Sequence, residues 1–205
     1  RGVYSFCMCP GGYVVNASSE DKHLVVNGMS NYDRSERNAN SAIVVTVSKE
    51  DFGSNPMNGI EFQRKLESKA YELGKGFIPI QLYGDYKNNV ESTSLGEVIP
   101  NVKGNYNFSN LNELFPEYIN EALKEGIDAF EKKIKGFSRE DAILLGVESR
   151  TSSPVIIERD ENFQSSVEGL YPAGEGAGYA GGITTAAIDG VKVFEAIISE
   201  YTSNL

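Results

Sequence analysis

Between Gly174 and Gly182 five of nine residues are glycine. A backbone without Cβ atoms can bring its peptide N–H groups close to a phosphate or a ring edge, and the positive end of a following helix favours negative charge there. A helical pattern comes next. Ile183, Ala187, Val191, Phe194, Ile198 and Tyr201 recur on one face, with Lys192, Glu195 and Glu200 off it. Val167, Leu170 and Tyr171 read as a short strand ahead of the glycines, so the order is strand, glycine turn, helix. Gly190 falls on the apolar stripe. A mid-helix glycine costs about 1 kcal/mol against alanine, which predicts that it packs closely against a sheet.

The turn contains G-x-G-x-x-G at Gly176, Gly178 and Gly181. A dinucleotide fingerprint also needs a strand after the helix and an acidic residue about 20 positions on. Glu200 has that spacing but sits inside the helical pattern, and the sequence stops at Leu205. The turn therefore reads as touching a cofactor without being the first βαβ unit. The alternative is a turn whose glycines serve packing alone.

At 205 residues with 40% hydrophobic content, the chain has room for one or two domains and a real core. A net charge of −10, with no dense Lys/Arg block, argues against nucleic acid and anionic membrane surfaces as partners. No run approaches the roughly 18 apolar residues of a membrane helix, so a soluble, cytoplasmic protein is expected. Val3, Tyr4 and Phe6 already read as strand, which implies a piece of a longer protein.

Residues 2–17 and 24–27 read as a strand pair turned by Ser18 to Lys22, and Ala42 to Val47 as a third, β-branched strand. A helix from about Gly59 to Leu73 precedes an extended Phe77 to Leu82. Residues 84–112 read as long loops with short extended pieces. Pro116 opens an amphipathic helix through Ile119, Leu123, Ile127, Phe130 and Ile134. Ile143 to Val147 and Val155 to Ile157 complete the strands.

Cys7 and Cys9 are the only cysteines, and C-x-C lacks the spacing of a redox or four-ligand zinc site, so no metal is expected. In a strand both would point to one face. They are either buried small hydrophobes or thiols beside a redox centre, where Pro10, Gly11 and Gly12 would let the backbone approach a ligand. Asn27 to Ala42 reads as a polar loop suited to a polar substrate, with Arg34 and Asn40 as its candidate contacts. Arg150 can bind a carboxylate or phosphate in fork geometry, or tie down a crossover through Glu148. His23 is the only histidine, and no nucleophile motif accompanies it, which leaves it as a partly exposed strand residue.

Five motifs together resemble a known family. Residues Phe6 to Gly12, Asn27 to Ser30, Asn38 to Ala42, Arg150 to Pro154 and Tyr171 to Ile183 are similar, in order and spacing, to the C-terminal portion of the uncharacterised bacterial FAD-dependent dehydrogenases, NAD(P)/FAD-dependent oxidoreductases. The resemblance implies an α+β fold: a mixed β-sheet insert domain with helices over residues 1–148, on the substrate side, plus the C-terminal strand-turn-helix of an α/β FAD-binding domain over 149–205, its N-terminal Rossmann part absent. It implies FAD as cofactor and a small-molecule substrate. Gly174 and Glu175 would match the late Gly-acid element whose carboxylate bonds the ribityl chain, although Glu is longer than the commoner Asp. Gly176, Gly181, Gly182 and Ile183 would line the turn and helix start that offer N–H groups to the flavin. Cys7 or Cys9 would face flavin or substrate, while Arg34, Asn40 and Arg150 would bind substrate. A non-catalytic module binding a phosphorylated metabolite, or an interaction module, is the competing reading.

Overall fold

The structure is a computed structural model that describes residues 1–150, 152–153 and 155–203. It is α+β, and it divides into two compact units: residues 1–52 with 62–149, and residues 53–61 with the described residues from 150 onward. No helix among the described residues is long and apolar enough to cross a membrane.

The first unit is organised by β1 (Val3–Asn16), which pairs antiparallel with β2 (Val26–Ser30) and β3 (Asn38–Val45) and parallel with β5 (Val102–Lys103). Its pairing with β3 slips between Phe6 and Cys9 and again between Cys9 and Gly12. Cys7 (φ 48°) and Gly11 (φ 50°) take left-handed backbone at these slips. A second, mixed sheet has the order β6-β4-β7, from β6 (Tyr106–Phe108), β4 (Ile78–Leu82) and β7 (Ile143–Leu145). Central β4 is covered on both faces and accordingly reads as an apolar run rather than an alternation. Leu24, Ile78, Ile80, Tyr83, Tyr86 and Leu114 form the heart of the core.

Local chemistry explains the helix boundaries. In α2 (Pro56–Leu73) the Asn55 side chain accepts the Met57 N–H at 3.0 Å and proline takes the first helical position, which starts the helix three residues before the expected Gly59. Pro116 stands extended at the N-cap of α4 (Glu117–Glu131). That helix stops short of Ile134, because Glu131 turns back to accept the Gly136 and Ser138 N–H groups, both at 2.8 Å. Two short helices, α1 (Lys49–Phe52) and α3 (Tyr83–Lys87), are below the length at which a periodic pattern can be read. The second is fixed by burial: the Tyr83 hydroxyl donates to Asp128 at 2.7 Å and the Tyr86 hydroxyl to Asn120 at 2.8 Å.

Several expectations need correction. The supposed polar loop of residues 27–42 is strand at both ends, because β1 pairs Gly12 with Asn38 and Cys9 with Asn40, and Asn38 satisfies its amide on Ile99 O at 2.8 Å. His23 lies ahead of β2 rather than within it, its Nδ1 2.7 Å from Asp21 O. Neither 155–157 nor 167–171 is a strand. A strand needs a ladder partner for its backbone groups; Ile157 N–H reaches only Ala177 O, and Ile156, Val167 and Leu170 are exposed.

The largest departure is α5 (Ile183–Ser203). Its expected buried stripe is exposed, from Ile183 at 92% through Val191 and Phe194 to Tyr201, while Val193 on another side is the buried one. Gly190 has no atom of a described residue within 4 Å of where a Cβ would stand, so within this chain it packs closely against none of them. Gly190→Ala is therefore expected to stabilise α5 by about 1 kcal/mol, raising the thermal midpoint of this chain by a few degrees.

Candidate functional site

In the second unit the glycine-rich turn runs from Gly174 through Tyr179 into α5. Gly174 (φ 70°) and Gly178 (φ 86°) hold left-handed backbone, and a Cβ on Gly178 would press on Val155 O at 2.7 Å. Two side chains that the sequence pattern does not single out, Arg159 and Asp189, pin the turn from within. Arg159 donates to Pro172 O at 2.7 Å and, through both Nη atoms, to the Asp189 carboxylate at 2.9 and 2.7 Å. Asp189 in turn accepts the Gly174 N–H at 2.8 Å. The guanidinium lies 3.6 Å from the Tyr179 ring centre and 4.6 Å from that of Phe163. Arg159, then the Gly174 N–H, hold the Asp189 carboxyl down to about 2.

Among the described residues, the outer side of this turn has few neighbours. No atom of a described residue lies within 4 Å of a would-be Cβ on Gly176, and Gly181 has only Ser152 Oγ, at 3.6 Å. Gly182 O takes the first helical bond, from Ala186 N–H at 2.9 Å, and the Thr185 hydroxyl at 2.9 Å. The amides of Gly181, Gly182 and Ile183 donate to no acceptor among the described residues, which is the ordinary state of a helix start with no ligand on it. The half-exposed Glu175 gives its backbone carbonyl to Gly178 N–H, and its carboxylate pairs with no described residue. The amides of Gly182 and Ile183 and the Glu175 carboxylate are the groups of this turn that could hold the anionic and hydroxyl groups of a cofactor. Arg150 stands exposed at the start of this unit. Thr151 and Pro154 of its motif lie outside the described residues.

In the first unit the structure brings Cys9 and Arg34 together along one groove of about 600 Å³, where Met8 and Pro10 face the Ser30 to Arg34 turn. The irregular path of β1 makes it. Gly11 lies so close to Arg34 O that a Cβ would overlap it, and a Cβ on Gly12 would overlap Met29 O. Protein backbone, rather than a ligand, is what these two glycines admit. Glu36 N–H on Gly11 O at 3.2 Å and the Ser30 hydroxyl on Pro10 O at 2.9 Å clamp turn to strand.

Neither cysteine is a buried hydrophobe: Cys7 is exposed and Cys9 half-buried, its thiol 3.4 Å from Cys7 O. The slips at Cys7 also break the alternation that would put both on one face. Loss of solvent, then the neighbouring thiol and Glu148, push the Cys7 thiol up, away from the thiolate. Glu148, half-buried, is itself pushed up by burial. Asn40 is not in the groove. Its amide lies across the sheet over Gly12 and Gly28, and its Nδ2 is buried without an acceptor among the described residues. No three His, Cys, Asp or Glu side chains among the described residues are placed to hold a metal.

A family model described as "FAD-dependent protein, C-terminal domain-like" matches residues 1–151. An "Uncharacterized protein" of Clostridium beijerinckii (strain ATCC 51743 / NCIMB 8052) is 59% identical over 205 residues, covering 98% of this chain. The chain spans 38% of that relative's length. It belongs to the FAD-dependent protein, C-terminal domain-like family.

Proposed function

We propose that this chain is the C-terminal portion of a longer FAD-dependent oxidoreductase, whose second unit holds the ribityl chain and ring edge of the flavin while the first faces a small-molecule substrate. The observation that carries the reading is the division of labour in the glycine-rich turn: Arg159 and Asp189 satisfy its inner side, and the Glu175 carboxylate and the amides of Gly182 and Ile183 are left for a ligand. FAD, when bound, supplies electron and hydride transfer. The chain supplies the rest. Amides at the start of α5 favour negative charge at the pyrophosphate or ring edge, and Glu175 accepts hydrogen bonds from ribityl hydroxyls. Cys9, in the groove with Arg34, is the better placed of the two thiols for acid–base or redox work on a substrate. Arg150, exposed at the start of the second unit, is assigned to a polar group of a ligand there, whereas Asn40, its Nδ2 buried across the sheet, is given no substrate contact.

The exposed face of α5 is assigned to the remainder of the longer polypeptide. A helix face carrying Ile183, Val191, Phe194, Ile198 and Tyr201 is covered in a finished protein, and the Clostridium relative extends far beyond the aligned part. Glu175→Ala in the full-length protein tests the cofactor assignment. It removes one or two charge-assisted hydrogen bonds of about 1.5–3 kcal/mol each, so FAD affinity is expected to fall tenfold or more in a fluorescence titration. Unaltered flavin retention would mean that the carboxylate does not touch the cofactor.

A further inference from the structure

The groove of the first unit has a lining whose charge is one-sided. Arg34 is the one charged side chain in it, accompanied by the Ser30 hydroxyl, the Asn31 amide and the Cys9 thiol, and no carboxylate lines it among the described residues. That is unusual on a chain of net charge −10. The nearest acid in sequence, Asp33, is not among the lining residues and accepts the Ser35 hydroxyl at 2.7 Å. The Arg34 guanidinium pairs with no acceptor among the described residues, although arginine forks are the groups best matched to carboxylates. Its main chain is held firmly: φ is 49°, its N–H donates to Asn31 O at 3.1 Å, and its carbonyl is seated against Gly11. The Asn31 side chain is anchored too, accepting the Tyr13 hydroxyl at 3.0 Å. So the backbone beneath the guanidinium is fixed while its donors are unused. Met8 and Tyr32, both exposed, add apolar surface beside it.

We propose that this groove binds an organic carboxylate, with Arg34 taking the carboxylate in a fork and Met8, Pro10 and Tyr32 flanking the apolar body, the Cys9 thiol within the same space. The volume suits a small molecule. A single fork matches one carboxylate, whereas a phosphate dianion would ask for further cationic or amide donors. The assignment rests on the first unit being the substrate side, and it names the class of that substrate.

Cys9 reports on the groove directly. In the full-length protein carrying Cys7→Ser, alkylation of Cys9 by iodoacetate and, separately, by iodoacetamide is followed on the Cys9 peptide by mass spectrometry; each reaction forms a C–S bond, releases iodide and leaves the thiol proton to the buffer. The ratio of the two rates cancels the thiolate fraction and reads local preference for an anion. It is expected to be about fivefold higher with Arg34 than in Arg34→Gln, and to recover in part in Arg34→Lys. Phenylacetate should slow the alkylation, with 2-phenylethylamine and inorganic phosphate ineffective. A ratio unmoved by Arg34→Gln would overturn the proposal, and stronger protection by phosphate than by phenylacetate would overturn the carboxylate class. The readout is alkylation at Cys9 and involves no flavin chemistry, so failure here leaves the flavoprotein reading standing. Failure of the Glu175→Ala titration, conversely, leaves the anion preference of the groove intact.

Discussion

Arg159→Ala is expected to loosen the glycine-rich turn as a whole. The substitution strips Asp189 of both its ion-pair hydrogen bonds, frees Pro172 O, and removes the cation that lies over the Tyr179 and Phe163 rings. The two partners' side chains are only 9% and 13% exposed. Breaking such a pair from one side leaves an uncompensated charge and costs about 3 kcal/mol or more. Hydrogen exchange at the amides of Gly174, Gly178 and Tyr179 should accelerate at least a hundredfold, while amides of β4 exchange as before. A pH effect goes with it. The Asp189 carboxyl is depressed to about 2 in the folded chain, so its contribution is present above the ordinary carboxylate pKa of about 4 and is lost as pH falls toward the folded value. The variant should lose most of that acid sensitivity, keeping only the part due to Gly174 N–H. Protection of the turn that is unchanged in Arg159→Ala would show that the glycines hold themselves.

Gly11→Ala should be the most damaging single methyl in the first unit. The added Cβ overlaps the Arg34 carbonyl, which is backbone and cannot swing aside, and alanine must also adopt φ 50°. The two effects together are expected to cost about 3 kcal/mol or more, seen as a drop of roughly 10 °C in the thermal midpoint. Gly136→Ala separates clash from conformation. Gly136 also has positive φ, 89°, yet nothing lies within 4 Å of its Cβ position, so its loss should stay at about 1 kcal/mol. Equal losses in the two variants would remove the backbone contact as the reason for glycine at position 11.

How much could be read from the sequence depends on the range of the interactions involved. The start of α5 at Ile183 and the turn before it are written in neighbouring residues, as are the proline that opens α4 and the apolar run of β4. Arg159 and Asp189 are 30 residues apart, each unremarkable among its neighbours, and only the folded turn makes them partners. The groove was half legible. Cys9 and Arg34 were recognisable as reactive and charged, but their meeting depends on two register slips and left-handed backbone at Cys7, Gly11 and Arg34, which no periodic pattern encodes. Asn38 and Asn40 looked like loop residues because asparagine is rare in strands, and here strand pairing overrode that preference. For α5 the pattern was right and the inference from it was not: an apolar stripe says that a face wants cover, not which chain provides it.

The Asn40 amide lying over Gly12 and Gly28 links three strands in a way that leaves a mark on inheritance. A Cβ at position 28 would overlap Asn40 Oδ1, and one at position 12 would meet Nδ2 at 3.1 Å as well as the Met29 carbonyl. None of the three positions can drift alone. Lineages that replace Gly28 should carry a smaller residue at position 40, while lineages that keep Asn40 should keep both glycines, so that substitutions at 12, 28 and 40 arrive as a set on β1, β2 and β3. The unpaired Nδ2 sharpens this expectation: a buried donor without an acceptor weighs against the fold, and neutral drift would be expected to discard asparagine there unless the side chain is under selection for something besides packing.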